Sequence, residues 1–196
     1  MLVELICAAL IGYFSGTIPF GLVFAKLAGL GDVRSIGSGN IGATNVLRTG
    51  NKFIAFLTLL GDIAKGFVPV VIATSLWAEA PHGMLAGVAA LLGHMFPLWL
   101  KFKGGKGVAT YIGVAFGVLP IVGLGFLIIW LLLAVALRYS SLSAIGATLG
   151  APIIAYFQGG QDYAIMFFLM SMLVIIRHQS NIERLINGEE SKIGQK

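Results

Sequence analysis

Seven runs of apolar residues, at about 3–25, 53–77, 84–100, 108–119, 120–137, 141–157 and 163–176, alternate with short segments that hold nearly all the charge. A helix needs about 20 mostly apolar residues to cross a bilayer, with ~17 to 25 tolerated. The pattern therefore predicts an all-α integral membrane protein. The fourth run is short, and Pro120 divides it from the fifth; one kinked helix over 108–137 is the alternative, giving six spans. Charge separates the two readings. With seven spans and the N-terminus outside, the inside segments hold Lys26, Arg34, Arg48, Lys52, Lys101, Lys103, Lys106, Arg138, Arg177, Arg184, Lys192 and Lys196. The outside segments hold Glu4, Glu79 and Asp162 and no Lys or Arg. Six spans would place the C-terminal basic cluster outside, against the positive-inside rule. The expectation is one polytopic domain over 1–196 with seven transmembrane helices, N-terminus outside and C-terminus cytoplasmic.

Composition strengthens that picture. Hydrophobic residues make up 58% of the 196-residue chain and charged residues 11%, against roughly 25% charged in soluble domains. The 27 glycines, many inside apolar runs, suit close helix–helix approach in lipid. Cys7 stands alone in the first run, so an internal disulfide is excluded. Residues 1–20 lack a basic leader region, which reads the first run as a retained span. The net charge of +5 is scattered between apolar runs, so topology explains it better than nucleic acid does. The last residues, 187–196, are polar and read as a mobile tail.

Candidate chemistry gathers in three inside segments. The first contains Gly37, Ser38, Gly39, Asn40, Gly42, Thr44, Asn45 and Arg48. Its glycines match the spacing of a dinucleotide-binding turn, but no strand precedes them and no βαβ unit follows. What remains is a backbone free to turn N–H groups toward an anion, with Arg48 adding a fork for phosphate. The plain reading is a flexible linker. The second segment, Lys101 to Gly107, sets Gly104, Gly105, Lys106 and Gly107 before a helix N-terminus, where free amides favour anions. Upstream, His94 lies within the third run. The third segment runs from Arg177 and His178 through Asn181 to Arg184; in one continuous helix, Arg177, Asn181 and Arg184 would share a face. His178 suits hydrogen bonding to an oxyanion or accepting a proton near neutral pH. Asp62 and Lys65, three apart in the second run, predict a structural ion pair, with a substrate contact for Lys65 as the second reading. Ser141 and Ser143 follow Arg138 at an inside turn, where serines commonly cap helices. No Cys/His set or dense acidic cluster points to a metal.

The chain resembles the bacterial acyl-phosphate:glycerol-3-phosphate acyltransferase family, the PlsY type. The resemblance rests on G-S-G-N-x-G-x-T-N-x-x-R at 37–48, on G-H-x-x-P and K-G-G-K-G-V-A-T within 93–110, and on R-H-x-x-N-I-x-R-L at 177–185. It extends over almost the whole chain. It implies transfer of a fatty acyl group from acyl phosphate to the 1-hydroxyl of glycerol 3-phosphate, giving lysophosphatidate and phosphate, without cofactor or metal. It implies a bacterial cytoplasmic membrane location and membrane lipid as surroundings. The enzyme that makes acyl phosphate is a candidate partner. His178, Lys106 and Asn181 are the expected catalytic residues; the other glycine-loop residues, Arg48, Lys65, Ser141, Ser143 and Arg177 are expected to bind substrate. Where a second serine three residues after Ser141 is common in the family, this chain has Ala144, with Ser143 adjacent. The base is either His178 or the leaving phosphate. The competing classes are a transporter for a phosphorylated anion, disfavoured because the polar motifs sit at one membrane edge, and a scaffold for anionic lipid, which leaves Asn, Thr and His unexplained.

Overall fold

Apolar runs in lipid have no water to satisfy their backbone groups, and the helix satisfies them internally. Among the described residues, 1–194 of a computed structural model, the chain is accordingly helical without strands. In order it forms α1 (Leu2–Gly16), α2 (Phe20–Leu27), α3 (Ala43–Val46), α4 (Lys52–Leu76), α5 (Ala80–Met95), α6 (Val108–Val118), α7 (Pro120–Leu137), α8 (Ser140–Gly159), α9 (Gln161–Arg177) and α10 (Gln179–Ile186). Among the described residues, five stretches have the length and apolarity of a span: Leu2–Leu27, α4, Ala80–Leu100, α7 and α8. A sixth is α9 joined to α10 across a bend of 61°. The short fourth run is the 11-residue α6, about 16 Å long. It ends at Val118 and α7 begins at Pro120, so 108–137 is not one continuous helix. Proline fits that first turn, where its missing N–H has no helical partner in any case.

The chain divides into two units, residues 1–118 with α1–α6 and residues from 119 onward with α7–α10. In the first unit α1 packs on α5, and α4 packs on α6. Gly12 and Gly16 lie against the carbonyls of Ala86 and Ala90, where any Cβ would overlap the α5 backbone. That is the small-residue contact by which helices approach closely in lipid.

The expected unbroken first span is in fact interrupted at Thr17–Pro19, between α1 and α2. Pro19 lacks an N–H and disfavours helical geometry at the residue before it. The break frees carbonyls that hydrocarbon cannot satisfy, and side chains satisfy them instead. Trp99 Nε1 donates to the Thr17 carbonyl at 2.9 Å, and Lys65 Nζ to that of Ile18 at 2.7 Å.

Two further prolines, Pro69 in α4 and Pro152 in α8, each remove the N–H that would bond the carbonyl four residues back. Those carbonyls belong to Lys65 and Thr148. Ser15 of α1 donates its hydroxyl to the first at 3.0 Å, and Ser171 of α9 to the second at 2.7 Å. One serine from an adjacent helix thus repairs each proline.

In the second unit α8 packs against α7 on one side and α9 on the other. The segment expected to be a mobile tail is folded back as far as it is described. Arg138 and Ile193 exchange bonds, Ile193 N–H to the Arg138 carbonyl at 2.6 Å and Arg138 Nη2 to the Ile193 carbonyl at 3.0 Å. Asn187 to Gly194 lie within the described residues; Gln195 and Lys196 lie outside them.

Candidate active site

The first motif loop is built around Asn45. Its side chain is 2% exposed; Nδ2 donates to the carbonyls of Val33 at 2.7 Å and Asn40 at 2.8 Å. Its Oδ1 accepts from the backbone N–H of Ser38 at 3.0 Å and from the Ser38 hydroxyl at 3.3 Å. The Gly39 N–H donates to the Ile36 carbonyl. Asn45 is therefore a brace that shapes the loop, and these two loop amides face protein acceptors rather than an anion. Gly37 adopts a left-handed φ of 52°, and the Arg48 side chain lies so close that a Cβ there would overlap it. The glycine is what lets the exposed guanidinium of Arg48 fold across its own motif. Gly42 caps α3, accepting the Asn45 and Val46 N–H groups, and Thr44 is exposed. At the loop's start Asp32 accepts from Arg34 through both side chain and backbone, which holds its carboxyl down at about 2.

The second loop departs from expectation in the same way. Gly104 donates its N–H to the Met95 carbonyl and Gly105 to the His94 carbonyl, each at 3.1 Å. These amides close the end of α5 instead of facing a phosphate. A Cβ at Gly105 would overlap the His94 imidazole, so this glycine lets the loop cover the buried histidine. Gly107, at φ 86°, opens α6 by accepting the Tyr111 N–H at 2.7 Å. Lys106 is held half-buried between these two glycines. Beneath the loop, Asp62 Oδ1 stands 2.7 Å from Lys65 Nζ and 3.8 Å from His94 Nδ1. Both members of the Asp62–Lys65 pair are buried, as a charge in hydrocarbon requires. With Ile18 as its other acceptor, Lys65 reads as a structural brace.

In the second unit, α9 ends at Arg177 and the chain turns 61° before α10. Arg177 therefore does not continue the face shared by Asn181 and Arg184, as one unbroken helix would have required. The turn is made at His178, with φ −97° and ψ 7°, which caps α10. His178 is 3% exposed, and its Nδ1 lies 2.7 Å from the Val174 carbonyl. A carbonyl only accepts, so Nδ1 carries the proton and Nε2 is the acceptor of the neutral ring. Ser143 donates back to the Tyr139 carbonyl at 2.7 Å, whereas Ser141 reaches out of its helix.

Ser141 leads to a residue that sequence reasoning missed. Glu190, from the folded-back tail, accepts from Ser141 Oγ at 2.6 Å, Asn181 Nδ2 at 2.6 Å and Arg184 Nε at 2.7 Å. Burial opposes its ionisation, but those three donors outweigh it and hold Glu190 below the ordinary glutamate range. The carboxylate also fixes the Asn181 amide, because only Nδ2 can face an acceptor. A polar tail of ten residues gave no periodicity from which this contact could be read.

The glycerol-3-phosphate acyltransferase family profile matches residues 6–188. A glycerol-3-phosphate acyltransferase of Sinorhizobium medicae (strain WSM419) is 56% identical over 185 residues, covering 94% of this chain and 90% of its own. One from Brucella anthropi is 54% identical over 192 residues, covering 98% and 94%. Among solved structures, two crystal structures of PlsY, an integral membrane glycerol 3-phosphate acyltransferase, are similar to this chain. The glycerol 3-phosphate form has a TM-score of 0.91 at 40% identity, covering 97% of this chain and 96% of that one. The lysophosphatidic acid form has a TM-score of 0.89 at 39% identity, covering 97% and 95%. With motifs, helices and relatives in agreement along nearly its full length, the chain belongs to the glycerol-3-phosphate acyltransferase family.

Proposed function

We propose that this acyltransferase moves a fatty acyl group from acyl phosphate to the 1-hydroxyl of glycerol 3-phosphate, giving lysophosphatidate and inorganic phosphate, in a bacterial cytoplasmic membrane. The observation that carries the reading is the likeness of nearly the whole chain to one enzyme solved in both a glycerol 3-phosphate form and a lysophosphatidic acid form, the acceptor and the product of this transfer. Acyl phosphate is an activated donor. The chain then has to position two anionic substrates and stabilise charge, without a nucleophile of its own. Arg48 and Lys106 serve as the phosphate-directed cations, and His178 and Asn181 orient glycerol 3-phosphate.

In the step itself, the 1-hydroxyl oxygen attacks the acyl carbon and the bond from that carbon to the phosphate oxygen breaks. His178 Nε2 accepts the hydrogen bond of the hydroxyl and aligns it. The partner of Nδ1 is a neutral carbonyl, which gives an imidazolium none of the countercharge that a carboxylate would. The proton therefore leaves on the departing phosphate. His178→Gln keeps a hydrogen-bonding group but no base. The expected result is a KM for glycerol 3-phosphate raised about tenfold with kcat within a few-fold of wild type; a loss confined to kcat would make His178 the base. The reaction is tested on purified protein given acyl phosphate and glycerol 3-phosphate, with acyl-CoA and acyl-carrier protein as alternative donors. Lysophosphatidate and phosphate should appear in equal amounts with acyl phosphate alone. Product from a different donor only would replace this reading.

A further inference from the structure

Between α8 and α9 lies an apolar groove of about 530 Å³, with Leu149, Ile153 and Phe157 on one wall and Ala164, Phe168 and Met172 on the other. Along α9 it extends from Gln161 to Ile175, a rise of about 21 Å. Lipid tails fill one leaflet, half of the ~30 Å hydrocarbon core, so the groove has length for one tail. Spread over that length, its volume leaves a cross-section of roughly 25 Å², enough for a single methylene chain at ~4 Å contact. Of the two lining residues that carry a hydroxyl, Tyr156 and Ser171, the Ser171 hydroxyl is directed at the Thr148 and Phe167 carbonyls. Phe157 is 77% exposed and Ile153 61%. These are surfaces that hydrocarbon, not water, would cover.

The ends of the groove differ. Asp162 stands beside the Gln161 end, while the Ile175 end runs directly into Arg177 and His178. A chain with an anionic head is repelled at the first end and attracted at the second. The groove therefore has a polarity, with the phosphate at the α9 C-terminus and the methyl end toward Gln161.

We propose that this groove binds the fatty chain of the acyl phosphate and sets which chain lengths the enzyme prefers. The proposal rests on the donor reading above. At its far end Ala164 is the small wall residue, and replacing it shortens the usable groove.

The test compares kcat/KM for decanoyl, palmitoyl and stearoyl phosphate. Each buried methylene is worth about 0.8 kcal/mol and ~1.4 kcal/mol is tenfold, so losing contact with two methylenes costs about tenfold. Ala164→Trp should lower kcat/KM about tenfold for stearoyl and palmitoyl phosphate and leave decanoyl phosphate within about twofold. Phe157→Ala, at an exposed position that the fold does not need, should shift preference the other way, raising stearoyl relative to palmitoyl phosphate. A uniform change across all chain lengths in both variants marks a resident bilayer lipid or simple packing, and overturns the proposal; so does an unchanged profile. Failure of the wild-type protein to use any acyl phosphate would instead defeat the donor reading.

Discussion

The charged residues of this protein are held by a few short contacts whose loss has calculable consequences. Lys65 is buried, with its ammonium group held by the Asp62 carboxylate and the Ile18 carbonyl. Asp62→Asn leaves that charge without its counterion, a change that costs about 3–5 kcal/mol at buried pairs, whereas replacing both partners with apolar residues is often much cheaper. Asp62→Leu combined with Lys65→Met should therefore lower the melting temperature in detergent less than Asp62→Asn alone, read from tryptophan fluorescence. Glu190 behaves differently because it titrates at the membrane edge. Its carboxyl is lowered in the folded protein, so its stabilisation is present above the ordinary glutamate value of 4.5 and is lost as pH falls through the lower folded value. Glu190→Gln should destabilise the protein by about 2 kcal/mol at neutral pH, the scale of charge-assisted hydrogen bonds. The gap to wild type should close on acidification in a melting series; a gap independent of pH would remove the charge from the account. The Asp62–Lys65 pair was legible from spacing alone. Glu190 was not, because its partners Ser141 and Asn181 lie 49 and 9 positions away.

At the scale of elements, the apolar runs located every long helix, since hydropathy reads the requirement that backbone groups be bonded within the segment. What the runs did not disclose is how breaks inside them are repaired. The interruption at Pro19 falls in a stretch as apolar as its flanks, and Trp99, which satisfies one of the freed carbonyls, is 82 positions away. Likewise the loops with Asn45 and Gly105 suggested anion-facing amides, but those amides bond to carbonyls and an amide oxygen of the protein, because a tight loop beside hydrocarbon must satisfy its own donors first. The serine–proline pairs offer a direct test. Ser171→Ala leaves the Thr148 carbonyl without its donor from α9 and should cost about 1–3 kcal/mol. Pro152→Ala returns an N–H to that carbonyl, so in its background Ser171→Ala should cost well under half as much. A double-mutant cycle by thermal unfolding measures the coupling; strict additivity would mean that the serine does not repair the proline.

For the molecule as a whole, the family was readable in the sequence because three ordered motifs survive intact, while the number of crossings depends on one short helix. α6 alone is about 16 Å long, too short for a ~30 Å core. It is preceded by the non-helical Gly104–Gly107 stretch, and its Gly113 packs on the Ile63 carbonyl of α4. Irregular backbone is tolerated at membrane depth when protein covers it, so the loop and the short helix together can complete a crossing that the helix alone cannot. Positive charge points the same way, because only seven crossings keep twelve of the thirteen basic residues off the outer face. The two arrangements differ in where the last loops emerge. In a Cys7→Ser background, single cysteines replace Glu79, Phe102, Asp162 and Glu189, and a membrane-impermeant maleimide is applied to intact cells. Seven crossings with the N-terminus outside predict labelling at 79 and 162, and labelling at 102 and 189 only after the membrane is opened. Were 108–137 to cross once, 162 would be protected and 189 labelled from outside, putting His178 and Asn181 on the face opposite Lys106. The proposed transfer, with both substrate phosphates at one membrane surface, would not survive that arrangement, so the labelling pattern tests the proposed chemistry together with the topology.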